Sequence, residues 1–361
     1  MSLPTEQKVW ILSNPPSGPI ESDTFTLETR PLPELQPGQV LVKAEILSND
    51  PAQRTWMQKD TDERRLYAKP IRKGDVVKSY GTALVLKSTS EKWKEGQKVF
   101  GVVGWNDYAV LPEASFQSLV TEVEGQSEGI AVGLFGLGGL TAYFGVEDIC
   151  KLKKEDTIVV SGAAGSVGSV VIQIAKKVIG CKKVIGIAGG KSKCDWVKSI
   201  GADDCVDYKD KDYVKKLEAL LPDYAEVYFD NVGGEILNNM LPLVARFGKV
   251  AVCGAIANYQ GDVLQMSNWR EVIYNRLNIH GKANWVSARR VALLTEPGFI
   301  LTDYASQFGK GREELLKWVK EGKIDNTDSE TIVSTKIEDV PKTWQRLFEG
   351  ANQGKLVTKL V

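Results

Sequence analysis

The chain has one histidine, His280, among 361 residues, and its five cysteines (Cys150, Cys181, Cys194, Cys205, Cys253) include no C-x-x-C pair. Tetrahedral zinc sites draw three or four ligands from Cys, His and acidic side chains. Neither a four-cysteine structural lobe nor a histidine-based metal centre is therefore expected, and His280 reads as a core histidine within a strand. Net charge is missing as well, because 46 Lys and Arg balance 46 Asp and Glu. No global field would draw nucleic acid or an anionic membrane. No signal-peptide pattern opens the chain, and reduced thiols in the cytoplasm are the simplest expectation. Charge-free runs are scarce. One spans Gly129 to Val146, close to the length of a membrane helix. Its six glycines (129, 133, 136, 138, 139 and 145) would cost an isolated helix too much, so a buried soluble segment is expected.

What is present is more specific. Ile158-Val159-Val160-Ser161 is an apolar, β-branched run that feeds Gly162-Ala163-Ala164-Gly165-Ser166-Val167-Gly168, and Val170 to Ile179 then has a helical pattern. This is a strand, a glycine-rich turn and a helix in the order of a dinucleotide fingerprint, with Ala163 where a first glycine would sit. Gly165 lets backbone approach a pyrophosphate, Gly168 lets helix pack on strand, and the helix N-terminus offers N–H groups to the anion.

The surroundings support that reading. Residues 1–128 are β-rich, with strands expected at 40–46, 80–86, 97–103 and 107–111, as in a small antiparallel barrel or sandwich. From 129 to 315, strands at 157–161, 183–188, 204–207, 226–230, 249–253 and 277–282 alternate with helices at 170–179, 193–200, 213–220 and 235–244. Alternation of this kind implies a doubly wound parallel sheet. Residues 316–361 return to strand-like patterns and are expected to rejoin the first domain.

NAD sites place an acidic residue at the end of the second strand, on the ribose 2′-hydroxyl. Here that strand runs into Ala188-Gly189-Gly190-Lys191-Ser192-Lys193, with room and positive charge but no carboxylate. A 2′-phosphate suits such a turn, so NADPH is expected rather than NADH.

Three segments together carry a resemblance: Ala163 to Gly168, Tyr228-Phe229-Asp230-Asn231-Val232-Gly233-Gly234, and Cys253-Gly254-Ala255-Ile256-Ala257-Asn258-Tyr259, with Phe348 to Lys355 similar too. The chain resembles the zinc-independent medium-chain dehydrogenases/reductases, in the branch of NADPH-dependent alkenal and enone double-bond reductases that includes leukotriene/prostaglandin reductases. The resemblance implies a GroES-like catalytic domain, a Rossmann domain and a cofactor in the cleft between them. It places Gly189, Lys193 and Tyr208 at the adenosine 2′-phosphate side and Asn231 after the fourth strand. Cys253, Gly254, Ala255 and Ile256, with Ala283, Asn284 and Trp285, would border the nicotinamide half, and Asn352 would reach the cofactor from the tail. Homodimers are common in the family and one is expected here.

One position departs from the family. Its first-domain motif S-x-D-P-Y-M-R reads Ser48-Asn49-Asp50-Pro51-Ala52-Gln53-Arg54 here. The family tyrosine that faces substrate is Ala52, leaving Asn49, Ala52 and Tyr80 as pocket candidates. Asp50 stands where zinc-dependent relatives place a cysteine ligand. Hydride transfer without metal needs an acceptor that is already polarised, such as an α,β-unsaturated aldehyde or ketone, and Tyr259 is the expected donor to its developing enolate oxygen. Its phenol, ordinarily near pKa 10, is protonated at neutral pH. The alternatives are that Tyr259 only packs, that the chain reduces quinones, or that it binds NADPH without turnover.

Overall fold

The computed structural model describes residues 3–59, 68–260, 266–281 and 301–361. The chain divides into two compact units, 1–136 with 330–361, and 137–329. The sequence pattern had put these limits at 128 and 315. The first difference has a local cause: glycines 129 and 133 lie against Glu330, and Gly129 also against Val357, so the charge-free run begins within the first unit.

In the first unit, β1 (Glu6–Leu12) and β2 (Phe25–Pro31) form a hairpin. A separate sheet contains β3 (Gln39–Ser48), β4 (Tyr80–Ser88), β5 (Lys98–Val102), β6 (Tyr108–Pro112) and β7 (Phe116–Leu119), joined antiparallel. The short helix α1 (Ala52–Trp56) follows β3. Behind the sheet, Phe25, Trp105 and Trp344 pack ring against ring, Trp105 and Trp344 at 5.7 Å. Buried side chains of this size each contribute about 1.5–3 kcal/mol.

The second unit carries β8 (Thr157–Ser161), β9 (Lys183–Ala188), β10 (Asp204–Asp207), β11 (Ala225–Asp230), β12 (Val244–Val252) and β13 (Asn278–Gly281). Every neighbouring pair is parallel, in the order β10-β9-β8-β11-β12-β13, the doubly wound order of a Rossmann sheet. β8 is buried at all five positions, as a strand covered on both faces must be. Helices α2 (Leu137–Phe144), α3 (Ser166–Gln173), α4 (Lys191–Ser199), α5 (Tyr213–Leu220), α6 (Gly234–Met240), α7 (Arg270–Tyr274) and α8 (Phe308–Lys320) belong to this unit. α3 begins four residues before the expected Val170, because the glycine turn, not the apolar run, sets its start.

The tail adds β14 (Glu330–Thr335), α9 (Val340–Gln345) and β15 (Lys355–Leu360) to the first unit. β15 pairs antiparallel with β3, Val357 opposite Ser48, and parallel with β14. Among the described residues, no helix is long and apolar enough to cross a membrane.

Candidate cofactor and substrate sites

The turn between β8 and α3 is closed on itself. Gly165 N–H donates to the Gly162 carbonyl at 2.9 Å, and a Cβ on Gly168 would stand 2.3 Å from that same oxygen. Only glycine lets α3 start this close to the strand. Ala163 is fully buried under the turn, whereas Gly165, Ser166 and Val167 are half-exposed along its rim. The N-cap residue, Gly165, provides no side-chain cap. The first-turn N–H groups therefore face outward at a helix N-terminus suited to an anion.

At the end of β9, the Tyr208 ring lies over Gly189, where any Cβ would come within 2.9 Å of it. Gly190 turns the chain (φ 94°) and donates its N–H to Asp207 Oδ1 at 2.8 Å. Lys193 sits in the first turn of α4. Burial, and secondarily Lys209, push its ammonium below the ordinary lysine range. Lys209 therefore adds a second cation near this turn, whose carboxylate neighbour, Asp207, is engaged by the Gly190 and Lys209 N–H groups. Lys191 points elsewhere: it is 87% exposed and paired with Asp195 one helical turn on.

At the end of β11 the centre is Asp230, the neighbour of the expected Asn231. Asp230 is fully buried. Its Oδ1 accepts from the Ser161 hydroxyl and the Tyr228 phenol, both at 2.7 Å, and its carboxylate accepts the Val232 and Gly233 N–H groups at 3.0–3.2 Å. Burial pushes the carboxyl above its ordinary value against the pull of those donors. Burial and the adjacent Asp230 also raise the Tyr228 phenol. Asn231 is fixed at both ends by Ser161, its N–H to the hydroxyl at 2.9 Å and its side-chain amide to the carbonyl at 2.7 Å. The signal for Asp230 was available: an acid inside an apolar strand end needs several donors to stay there.

The loop after β12 then closes over this turn. Cys253 and Gly254 N–H both donate to the Asp230 carbonyl, at 2.7 and 3.1 Å. Tyr259 is 7% exposed, and its hydroxyl accepts the Ala255 N–H at 3.3 Å. Ile256 opens the single helical turn that carries Tyr259 back. A hydroxyl that accepts one bond still carries its own proton. Ala283, Asn284 and Trp285 lie outside the described residues.

In the first unit, Asn49 and Ala52 follow the end of β3, and Tyr80 opens β4, its antiparallel neighbour in the sheet. Ser79 donates to the Ser48 carbonyl at 2.9 Å and Gln53 to the Lys78 carbonyl at 2.8 Å, tying α1 to the start of β4. Tyr80 is half-buried and stacked on Phe100, 6.0 Å between centroids. Asn49 is buried and turned toward β15, donating to Thr358 at 3.0 Å. Asn352 is half-buried and bonds within its own loop, to the Gly354 carbonyl at 2.7 Å.

Residues 8–119 match the family described as the N-terminal domain of oxidoreductase, and 166–289 that described as zinc-binding dehydrogenase. Prostaglandin reductase 1 of Oryctolagus cuniculus is 36% identical, covering 96% of this chain and 92% of its own. The NADPH-dependent curcumin reductase of Escherichia coli is 31% identical over 97% and 96%. The crystal structure of CurA in complex with NADPH from Vibrio vulnificus superposes with a TM-score of 0.83 at 29% identity, over 98% of this chain and 99% of that one. The chain belongs to the zinc-independent medium-chain dehydrogenases/reductases.

Within this family the word zinc needs a test on residues. Asp50 does not offer itself to a metal: its carboxylate is ion-paired with Lys355 and accepts the Ser48 hydroxyl at 2.7 Å. Lys355 also donates to the Asn49 carbonyl at 2.8 Å, and its side chain is only 4% exposed. His280 lies in β13 opposite Ala251. No group of three or more potential ligands comes together among the described residues. The described residues do not fit a zinc ion. The Asp50–Lys355 pair could not be read from sequence, since its partners are 305 positions apart.

Proposed function

We propose that this medium-chain family member is an NADPH-dependent ene-reductase that delivers hydride to Cβ of α,β-unsaturated aldehydes and ketones. The observation that carries the reading is the Asp50–Lys355 ion pair, which puts a protein ammonium where a catalytic metal would need a free ligand. With no Lewis acid to polarise an alcohol or an isolated carbonyl, the acceptor must bring its own polarisation, and a conjugated C=C does so. The relatives named as prostaglandin and curcumin reductases support this choice.

The chain's own residues divide the work. Gly165, Ser166, Val167 and Gly168 would cradle the pyrophosphate. Lys193 would meet the 2′-phosphate beside the Tyr208 ring, with Asn231 and the Cys253–Ile256 backbone at the nicotinamide half. When bound, NADPH supplies the hydride. The Tyr259 hydroxyl donates to the carbonyl oxygen as negative charge develops there, an interaction whose loss costs about 3 kcal/mol in such sites. Water protonates Cα, so no further acid is required. Asn49, Ala52 and Tyr80 would border the substrate.

The test is one assay panel on chelator-treated protein, with NADPH and NADH against an alkenal, an enone, a quinone and a saturated alcohol. The expected result is NADPH-specific formation of the saturated carbonyl. Allylic alcohol as the product would overturn the reading. Faster turnover of the quinone would make it a quinone oxidoreductase, and no turnover above background would leave a cofactor-binding protein.

A further inference from the structure

An acid does stand beside the Gly189–Lys193 turn, one strand away from where an NAD site would have it. NAD sites end their second strand in a carboxylate that accepts the ribose 2′-hydroxyl. Here β9 ends at Ala188 and runs into two glycines, and the carboxylate is Asp207, the last residue of β10, paired with Ala188 across the sheet. Its Oδ1 is engaged by the protein itself. It accepts the Gly190 N–H at 2.8 Å and the Lys209 N–H at 3.0 Å.

The two bonds have different consequences. The bond from Lys209, two residues on, makes an Asx turn. The Asp207 carbonyl also accepts the Asp210 N–H at 3.1 Å, which closes a β-turn over the same stretch. Tyr208 is the first corner of that turn. Its N–H donates to the Ala188 carbonyl at 3.1 Å, and its ring lies over Gly189. The bond from Gly190 crosses between strands. Gly190 is the N-cap of α4, has a φ of 94°, and gives the helix no side-chain cap. The hold on the start of α4 comes instead from Asp207, and Lys193 lies in the first turn of that helix. One oxygen thus fixes both the corner that carries Tyr208 and the helix start that carries Lys193.

We infer that Asp207 is a positioning residue for the cofactor: by accepting the Gly190 and Lys209 N–H groups it sets the spacing of Lys193 and Tyr208 around the 2′-phosphate, and with it the preference for NADPH over NADH. The inference rests on the placement of Lys193 and Tyr208 at the 2′-phosphate proposed above. The acid keeps the acceptor chemistry of an NAD site but turns it on the protein's own backbone. What matters in this role is an acceptor at the right point, not a charge. An amide oxygen at the same position accepts the same two bonds, whereas a methyl group accepts neither. Charge acts in the opposite sense, because a carboxylate near a phosphate repels it. Geometry and charge can therefore be separated by substitution. Alanine removes both, and asparagine removes the charge alone.

The experiment titrates the full-length parent, Asp207→Ala, Asp207→Asn and Lys193→Ala with NADPH and with NADH by cofactor fluorescence. It also follows amide hydrogen exchange at Gly190 and Lys209 by NMR without cofactor. Asp207→Ala is expected to raise the NADPH Kd about tenfold and the NADH Kd no more than about twofold. The same variant should speed exchange at both amides. Asp207→Asn should keep the slow exchange and bind NADPH at least as tightly as the parent. An unchanged NADPH Kd in Asp207→Ala, equal weakening of NADPH and NADH, or a loss in Asp207→Asn as large as in Asp207→Ala would each overturn the inference. Should Asp207→Ala not fold, the other proteins decide: fast exchange at Gly190 and Lys209 in the parent, or weakened NADPH in Asp207→Asn, would overturn it equally. Failure of the 2′-phosphate placement looks different, because Lys193→Ala would then weaken NADPH and NADH alike.

Discussion

Asp50 and Asp230 are both carboxylates buried at the end of a strand, one in each unit, and the chain keeps them there by opposite means. Asp50 meets the ammonium of Lys355 from the far end of the sequence. Asp230 has no ion pair among the described residues and is held by two hydroxyls and two backbone N–H groups instead. An ion pair fixes two segments to each other and tolerates variation in the backbone around it. A set of short neutral donors instead fixes the backbone of its own turn, because each N–H must point at the same two oxygens. The first unit thus uses its buried acid to fasten the returning tail, and the second uses its acid to shape the turn that follows β11.

The largest effect should come from breaking the ion pair. Lys355→Met leaves Asp50 buried without a cation, a change that costs about 3–5 kcal/mol. Urea unfolding of the variant should show that loss. The double variant Lys355→Met/Asp50→Asn should recover most of it, since no buried charge remains. If Lys355→Met is as stable as the parent, Asp50 is not held as described.

On the other side of the comparison, Tyr259→Phe should leave stability nearly untouched and reach only the chemistry. Loss of the donor predicts a fall in kcat of about 100-fold, or roughly 3 kcal/mol, with the NADPH Kd within about twofold of the parent. An unchanged kcat would return Tyr259 to a packing role beside Ala255. Lys193→Ala sharpens the contrast further, because it should act on binding alone. Removing one charge-assisted contact to phosphate should weaken NADPH by about tenfold and leave NADH within about twofold. Equal weakening of both would mean that Lys193 does not see the 2′-phosphate.

Much of the second unit was legible because its buried strands are continuous apolar runs between glycines. The spans 157–161, 183–188 and 204–207 fall where the pattern put them. The start of α3 was misjudged because Ser166-Val167-Gly168-Ser169 is poor in helix formers, and the geometry of the turn overrides propensity there. Lys191 and Lys193 look equivalent in sequence; only the i,i+4 pairing with Asp195 separates them. The contacts of Lys355 with Asp50 and of Ser161 with Asp230 and Asn231 were not legible, since each joins segments that become neighbours only in the folded sheet. In the first unit, β14 and β15 were seen only as strand-like, because nothing local reveals a parallel pairing or the docking of β15 on β3.

The smallest effect belongs to Asp230→Asn, and it carries a sign. Burial raises the Asp230 carboxyl above its value in the unfolded chain. Between the ordinary carboxyl range and that raised value, the native state retains a proton that the unfolded state has lost. Asp230 therefore makes stability fall as pH rises through that window. Asparagine keeps one acceptor oxygen for the Ser161 and Tyr228 hydroxyls and ends the cost of burying a charge, while weakening the hold on the Gly233 N–H. The two changes oppose each other, so the net stability change at neutral pH should be about 1 kcal/mol or less. The fall in stability through the acidic window should flatten in the variant. A flattened profile together with an NADPH Kd raised a few-fold would assign Asp230 to the shaping of the Asn231–Gly233 turn. An unaltered profile would mean that Asp230 takes no part in the acid titration, and that its donors, rather than its burial, set its charge.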